Sequence, residues 1–343
     1  MEPTIAQRIA RQAQACGAMG SPLYAALLAQ AADASGRPGP LRDLLNANAE
    51  RSRIGLRLMG ALHACALDGT APALAAHFPS AGGDGDPAAA WRAASELFAA
   101  QPARVARLLE RVPQTNEVAR SMPLMAASLA AVARRPLPMR IFEVGSSAGL
   151  NLRWDSYGYA GAGWAWGDAA SPLQLRNRIA SGRPANLEAH VEIAERRGCD
   201  LNPLDPCDPA HRQELLSFVW ADQVERFDRL RAALLVAERV AVAIDRADGV
   251  EWIERVRPSA GSLTVVMHSV VTEHLPRAMR DALRAAIARV GARAADDSPV
   301  AWIAMEPGEG AYETRVRLWP ESWERLVARS DGHAQDIRWS EAA

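Results

Sequence analysis

Over the first 135 residues the apolar positions recur at helical spacing, as in Leu23, Ala26, Leu27 and Ala31, or Leu56, Leu58, Met59, Leu62 and Ala66. No strand-like alternation interrupts them. Ser21-Pro22 reads as a helix start, with Ser as N-cap and Pro at the first helical position. Breaks fall at Gly36–Pro40 and Ser80–Pro87. The pattern predicts an all-helical domain over 1–135, whose last helix, near 115–134, leads into a strand. From Ile141 to Val144 the chain is a short apolar strand, and His190 to Glu195 alternates well enough for a second. Further strands are expected at about 240–244, 263–268 and 300–305; the last two are continuous apolar runs, as in parallel strands buried on both faces. A helix or helix pair covers 211–237, with Leu215, Val219, Phe227, Leu230, Leu234 and Leu235 on its apolar side. Pro276 opens another, whose Met279, Leu283, Ile287 and Val290 form one stripe. Thr314, Val316 and Leu318 then alternate with Arg315 and Arg317, before a short helix and a terminal strand near Ile337–Trp339. This order predicts an α/β fold over 136–343: a Rossmann-like, mostly parallel doubly wound sheet closed by a C-terminal antiparallel hairpin. Trp154, Tyr157, Tyr159, Trp164 and Trp166 crowd among glycines, which marks an irregular insertion near 154–186.

The candidate chemistry begins where the first strand ends. Glu143, Gly145 and Gly149 stand in the spacing E-x-G-x-x-x-G, with Ser146 inside the turn. Glycines allow positive φ and close backbone approach. A turn after a strand and before a helix lets amide groups and the helix N-terminus face a ligand. The acidic residue ahead of the first glycine suits a cationic, phosphate-free nucleoside, S-adenosylmethionine, better than a pyrophosphate. In such a domain the second strand ends in an acid for the ribose hydroxyls, here Asp200 or else Asp205, and Asp248 follows the third strand at the place of the adenine amine. The gap from the glycine loop to Asp200 exceeds the usual one of about 20 residues, so the aromatic insertion must loop out. His268-Ser269 ends a buried strand where ligands sit in an open α/β sheet, and a neutral His268 there can act as general base. Gln114, Asn116, Glu117 and Arg120 bring polar groups toward a substrate, with Thr115 also placed to cap the helix; Trp154 and Tyr157 offer rings for stacking.

Composition narrows the classes. The chain has 343 residues, enough for about two domains. A formal net charge of −1 argues against nucleic acid as a bulk partner. There is no apolar run of about 20 residues to span a membrane, and Met1-Glu-Pro-Thr4 lacks a basic region followed by an apolar one. The expectation is a cytoplasmic protein with a small-molecule substrate. Cys16, Cys65, Cys199 and Cys207 read as reduced thiols. Cys199 and Cys207 with His190 and His211 match no zinc spacing, so no metal is expected.

Several stretches together resemble a bacterial family called domain of unknown function 2332. They are Pro113-Gln-Thr-Asn-Glu117, Glu143-Val-Gly-Ser-Ser-Ala-Gly-Leu-Asn151, Arg196-Arg-Gly-Cys-Asp200 with Asp205-Pro206, Val219-Trp-Ala-Asp-Gln223, His268-Ser-Val-Val271, and Leu318-Trp-Pro320 with Ile337-Arg-Trp339. The chain departs from that pattern at Thr272-Glu-His274 and around Ser330-Asp-Gly-His333. The resemblance carries no established activity. The first expectation for function is an S-adenosylmethionine-dependent methyltransferase acting on a small molecule. The second is a serine hydrolase, because Gly145-Ser-Ser-Ala-Gly149 is also a G-x-S-x-G, with Ser147 as nucleophile and His268 or His333 and Asp245 or Asp296 as partners. The third is a nucleoside-binding protein without turnover.

Overall fold

The computed structural model describes residues 3–180 and 182–340. Its contacts divide the chain into two compact units: 1–115 with 207–231, and 116–206 with 232–343. The division therefore falls at 115/116 rather than at 135, and the chain passes between the units three times.

The first unit is helical. Its elements are α1 (Ile5–Ala18), α2 (Pro22–Ser35), α3 (Pro40–Asn46), α4 (Ile54–Leu67), α5 (Pro72–Ala75), α6 (Pro87–Ala100) and α7 (Pro102–Leu108). Prolines at the first helical position begin α2, α3, α5, α6 and α7, where the missing N–H costs nothing. Ser21 precedes α2 but does not cap it through its side chain. Instead its hydroxyl donates to Asp222, whose other oxygen accepts the amide of Leu23 at 3.0 Å. α4 is buried on nearly every side, and the common core joins Leu27, Leu58, Leu62, Phe78 and Phe98 to Trp220 and Ala221.

The second unit begins with α8 (Ser121–Arg134), reached through a 3₁₀ turn at Val118–Arg120 that Glu117, not Thr115, caps. β1 (Met139–Val144) comes next, then the insertion: a 3₁₀ helix at Asn151–Ser156 and the strands β2 (Gly158–Gly161), β3 (Trp164–Gly167) and β4 (Gln174–Arg176), which form their own small sheet in the order β3-β2-β4. β5 (Ile193–Asp200) returns to the main sheet. α9 (Pro209–Ser217) belongs to the helical unit, and α10 (Val224–Ala237) carries the chain across the boundary at 231/232. Then come β6 (Ala243–Arg246), α11 (Gly249–Ile253), β7 (Leu263–Ser269), α12 (Arg277–Gly291), β8 (Val300–Pro307), β9 (Tyr312–Trp319), β10 (Trp323–Ser330) and β11 (Arg338–Trp339).

The eight-stranded sheet has the order β11-β10-β9-β8-β7-β1-β5-β6. β6, β5, β1, β7 and β8 are parallel, and β9, β10 and β11 continue antiparallel. The order reverses at β1, since the chain runs outward through β5 and β6 and then returns to β7 on β1's other side. That is the place where an open α/β sheet leaves a crevice beyond its carboxyl ends. Phe142, Val144 and Val266 pack with Trp252 and Ile253 of α11 and Leu283, Ala286 and Ile287 of α12. Alternation then turns Ile141 and Glu143 to the opposite face. The fold class expected from the sequence is the observed one, with two local differences. The segment after Leu318 is not a short helix but β10, paired along its length with β9. The second strand starts at Ile193 and runs to Asp200, later than the His190–Glu195 expected.

Candidate functional site

The crevice lies beyond β1, β5 and β6. Gly145, Asp200, Ala247, Asp248, Val271 and Leu275 are among the residues that line a cavity of about 150 Å3 there, and no Lys, Arg or His is. Sequence reasoning thus placed Gly145, Asp200 and Asp248 together, and in the structure all three line this cavity.

The glycine loop is held from within. Gly145 and Ser146 both donate their amides to the Cys199 carbonyl, at 2.9 and 3.0 Å, and Ser147 donates its amide to Asp200 Oδ2 at 2.9 Å. These three amides are therefore occupied rather than presented to a ligand, and the next element is a six-residue 3₁₀ helix, not an α-helix N-terminus. Gly145 stands at φ +70°, and a Cβ there would lie 2.6 Å from Val271 Cγ2. Gly149, at φ +66°, would meet Ile244 Cδ1 at 3.0 Å, so its bare Cα serves packing and does not border the crevice. Ser146 is buried, its hydroxyl donating to the Cys199 carbonyl at 3.3 Å.

Asp200 ends β5, and its second oxygen accepts the Asn202 amide at 2.8 Å. Asp248 caps α11, Oδ1 accepting from Val250 and Glu251. Asp205, the other ribose candidate, is not among the lining residues. Glu143 is 1 % exposed, and its Oε2 has no hydrogen-bond partner. Burial, reinforced by the charge of Asp200, pushes this carboxyl well above its ordinary value, against the pull of Arg153 and Arg120. Arg153, which no sequence motif singles out, is 2 % exposed; it donates to the carbonyls of Ala148, Gly149 and Val240 and so ties the loop to the chain ahead of β6.

The expected substrate residues scatter. Asn116 Oδ1 accepts the Leu150 amide at 3.0 Å, bracing the loop; Glu117 caps the 3₁₀ turn; Arg120 donates to the Gly332 carbonyl. Gln114 lies in the helical unit. Trp154 and Tyr157 are wholly buried: Trp154 stacks on Trp166 at 5.6 Å between centroids, and the Tyr157 hydroxyl donates to the Leu150 carbonyl. They pack the insertion and offer no face to a ligand.

His268 does not face this crevice. It lines a second cavity over β8–β10, while Ser269, one residue on, alternates to the opposite face of the sheet. The indole N–H of Trp302 donates to His268 Nε2 at 3.0 Å, which leaves Nδ1 as the protonated nitrogen, donating to Glu306 Oε1 at 2.6 Å. Both ring nitrogens are thus engaged, and the general-base placement of His268 above the glycine loop is corrected. Glu306 also accepts the amides of Val271 and Thr272 and the Thr272 hydroxyl. Burial raises its pKa, but the hydrogen bond from His268, with those from Thr272 and the Val271 amide, outweighs this and holds it below the ordinary value. These bonds fix the turn after β7, where Val270 takes φ +57°, a conformation that costs a β-branched residue energy.

Ser147 also has positive φ, +55°, and its buried hydroxyl has no partner. No histidine is bonded to it. Among the described residues no group of three His, Cys, Asp or Glu is placed to hold a metal, and no helix is long and apolar enough to cross a membrane.

Compared with known proteins, residues 6–339 match the model of a family described as uncharacterized protein conserved in bacteria, DUF2332. No curated protein and no solved structure matches.

Proposed function

The chain belongs to this DUF2332 family of bacterial proteins, and from the geometry of its crevice we propose that it binds S-adenosylmethionine and transfers the methyl group to a small molecule. The observation that carries the reading is the lining of the crevice, which holds the carboxylates of Asp200 and Asp248 and no basic side chain. Phosphates would meet negative charge there, and the amides of Gly145, Ser146 and Ser147 are already taken. A cationic nucleoside without phosphate suits the same surroundings. Asp200 stands where ribose hydroxyls would sit and Asp248 where the adenine edge would. The cavity takes a base, with the rest of the molecule across its open mouth. Methyl transfer of this kind works chiefly by holding donor and acceptor in line, so it asks for few catalytic side chains.

A hydrolase reading has one observation in its favour, the left-handed Ser147 with its unpartnered hydroxyl. With no histidine bonded to that hydroxyl, the nucleoside reading stands first.

Calorimetry with S-adenosylhomocysteine tests the proposal. Saturable binding is expected, with NAD and ATP giving none. Ala247→Trp should fill the crevice and abolish the heat while the melting temperature stays high. Absence of heat at millimolar S-adenosylhomocysteine, or unchanged affinity in Ala247→Trp, would remove the reading. A stoichiometric fluorophosphonate adduct lost in Ser147→Ala would put the hydrolase in its place.

A further inference from the structure

The cavity over β8–β10 is the larger of the two, about 210 Å3, and it is separate from the crevice at the glycine loop. The two share the turn after β7, with Val271 facing one and Thr272 the other, and α12, which gives Met279 and Leu283 to the crevice and Arg284 to this cavity.

The carboxylates of this second cavity are committed. Glu306 accepts from His268, from the Val271 and Thr272 amides and from the Thr272 hydroxyl. Glu313 holds Arg315 at 2.9 Å and Arg329 at 3.0 Å, and Glu324 pairs with Arg315 at 3.6 Å. His268 has both nitrogens bonded, and the Trp302 N–H is spent on it. Ala304, Pro307 and the carbon surface of Trp302 are apolar walls. Two guanidiniums are left over. Arg317 lies on the Trp319 ring, 4.7 Å from its centroid, and pairs with no carboxylate among the described residues. Arg284, reaching in from α12, makes no ion pair at all among the described residues. The uncommitted polar groups of the cavity are donors only and cationic, and they stand beside an aromatic and aliphatic wall.

We infer that this cavity is a second binding site, for a small organic anion: a carboxylate or phosphate gripped by Arg284 and Arg317, on an apolar body laid against Trp302, Ala304 and Pro307. A planar two-oxygen group matches the guanidinium fork. The apolar body accounts for the indole, whose polar edge is turned inward to His268. Nothing in this site depends on the crevice holding a nucleoside.

The probes are benzoate and phenyl phosphate, with benzamide as the uncharged control, followed by calorimetry on the full chain. Saturable binding of one equivalent of benzoate or phenyl phosphate is expected, weakened by added salt because the contact is ionic, and benzamide should bind at least about tenfold more weakly, as loss of a charge-assisted bond implies. Arg284→Gln and Arg317→Gln should each lower the affinity at least about tenfold. Both are solvent-side changes, so the melting temperature checks that they stay folded, and neither should alter the response to S-adenosylhomocysteine. No saturable binding of either anion up to about 10 mM, weaker than the millimolar affinities of small ligands, would overturn the inference. So would binding that the double variant Arg284→Gln, Arg317→Gln leaves unchanged. The carboxylate and phosphate arms distinguish the two headgroups, and failure of both leaves the crevice proposal where it was.

Discussion

At the residue scale the pH response is set by buried ionisable groups with few charged neighbours. In the helical unit His63 is fully buried; its Nε2 meets the Ser80 hydroxyl at 2.7 Å and its Nδ1 the Ser217 carbonyl at 3.2 Å. Burial outweighs these bonds and lowers its pKa to about 4. The unfolded chain therefore takes up a proton on His63 before the folded one does. Stability from this group is whole above the ordinary imidazole value and is lost as pH falls through the window down to about 4, by about 3 kcal/mol in all. Urea titrations of the wild type and His63→Gln at pH 7 and pH 4 check this: the wild type should lose more, by about that amount. Glu143 works in the opposite sense. Its folded pKa is raised, so once pH passes the ordinary carboxylate range the unfolded chain is ionised while the folded one keeps its proton, and stability falls as pH rises. Glu143→Gln should flatten this trend, so that the difference in unfolding free energy between variant and wild type grows from pH 5 to pH 8. A difference that does not change with pH would show the carboxyl ionised in the folded state. Glu143 was legible in the sequence because its spacing to Gly145 was. Arg153 and Glu306 were not, because each acts through backbone groups distant in the chain: Val240 lies 87 residues beyond Arg153, and Val271 and Thr272 lie 35 and 34 residues before Glu306.

At the element scale the misreadings have physical causes. Trp323, Leu326, Val327 and Ser330 stand at the spacing of a helix face, yet the segment is β10. A register shift between Leu326 and Ala328 places Val327 and Ala328 side by side in the interior, and a bulge of that kind disrupts the two-residue period on which strand reading depends. β5 was read short because Arg196 and Arg197 sit in its middle. They are tolerated since Arg196 pairs with Asp155 at 2.6 Å and Arg197 with Asp245 at 2.8 Å, partners that only the fold supplies. The elements with clean patterns, β7, β8 and α12, were legible because burial on both faces, or on one stripe, leaves an unbroken signature. Turns carry their own test. Asp248 caps α11 with two bonds, so Asp248→Ala should cost about 1 kcal/mol of stability, and on the proposed reading should also weaken S-adenosylhomocysteine. Asp248→Ser restores the cap without the carboxylate. A melting temperature recovered in Asp248→Ser with affinity still reduced separates the ligand role from the cap, and full recovery of both would assign Asp248 to the helix alone. Gly149→Val should destabilise by about 1–3 kcal/mol through its positive φ and the 3.0 Å approach to Ile244, as seen in the melt without any ligand.

At the scale of the whole molecule, what the sequence hid was the path of the chain. Helical spacing runs on past 115 into α8, and nothing in that periodicity shows that α8 packs on the sheet against β8 and β9. Nor does it show that residues after Pro206 return to the helical unit. A contiguous boundary at 135 is the natural reading of composition, but composition does not record which core a helix enters. The core of the helical unit makes the consequence testable. Trp220 and Ala221 belong to it, with Tyr24 near Trp220 at 6.0 Å between ring centroids. α9 packs on α4, and the Ala221 carbonyl accepts the Ser80 amide at 2.8 Å. His63 loses its Nδ1 partner if Ser217 is absent, and α2 loses the carboxylate of Asp222 at its N-terminus. A fragment of residues 1–115 therefore leaves apolar side chains uncovered and buried polar groups unpaired, each of the latter at about 1–3 kcal/mol, against a total stability of about 5–15 kcal/mol for an ordinary domain. Extending the fragment to residue 135 repairs none of this, because α8 supplies none of the missing groups. Both fragments should show no cooperative thermal transition by circular dichroism. A fragment joining 1–115 to 207–231 through a flexible linker should recover one. A sharp melt from residues 1–115 alone would show that the later segment only decorates the helical unit and is not part of its core.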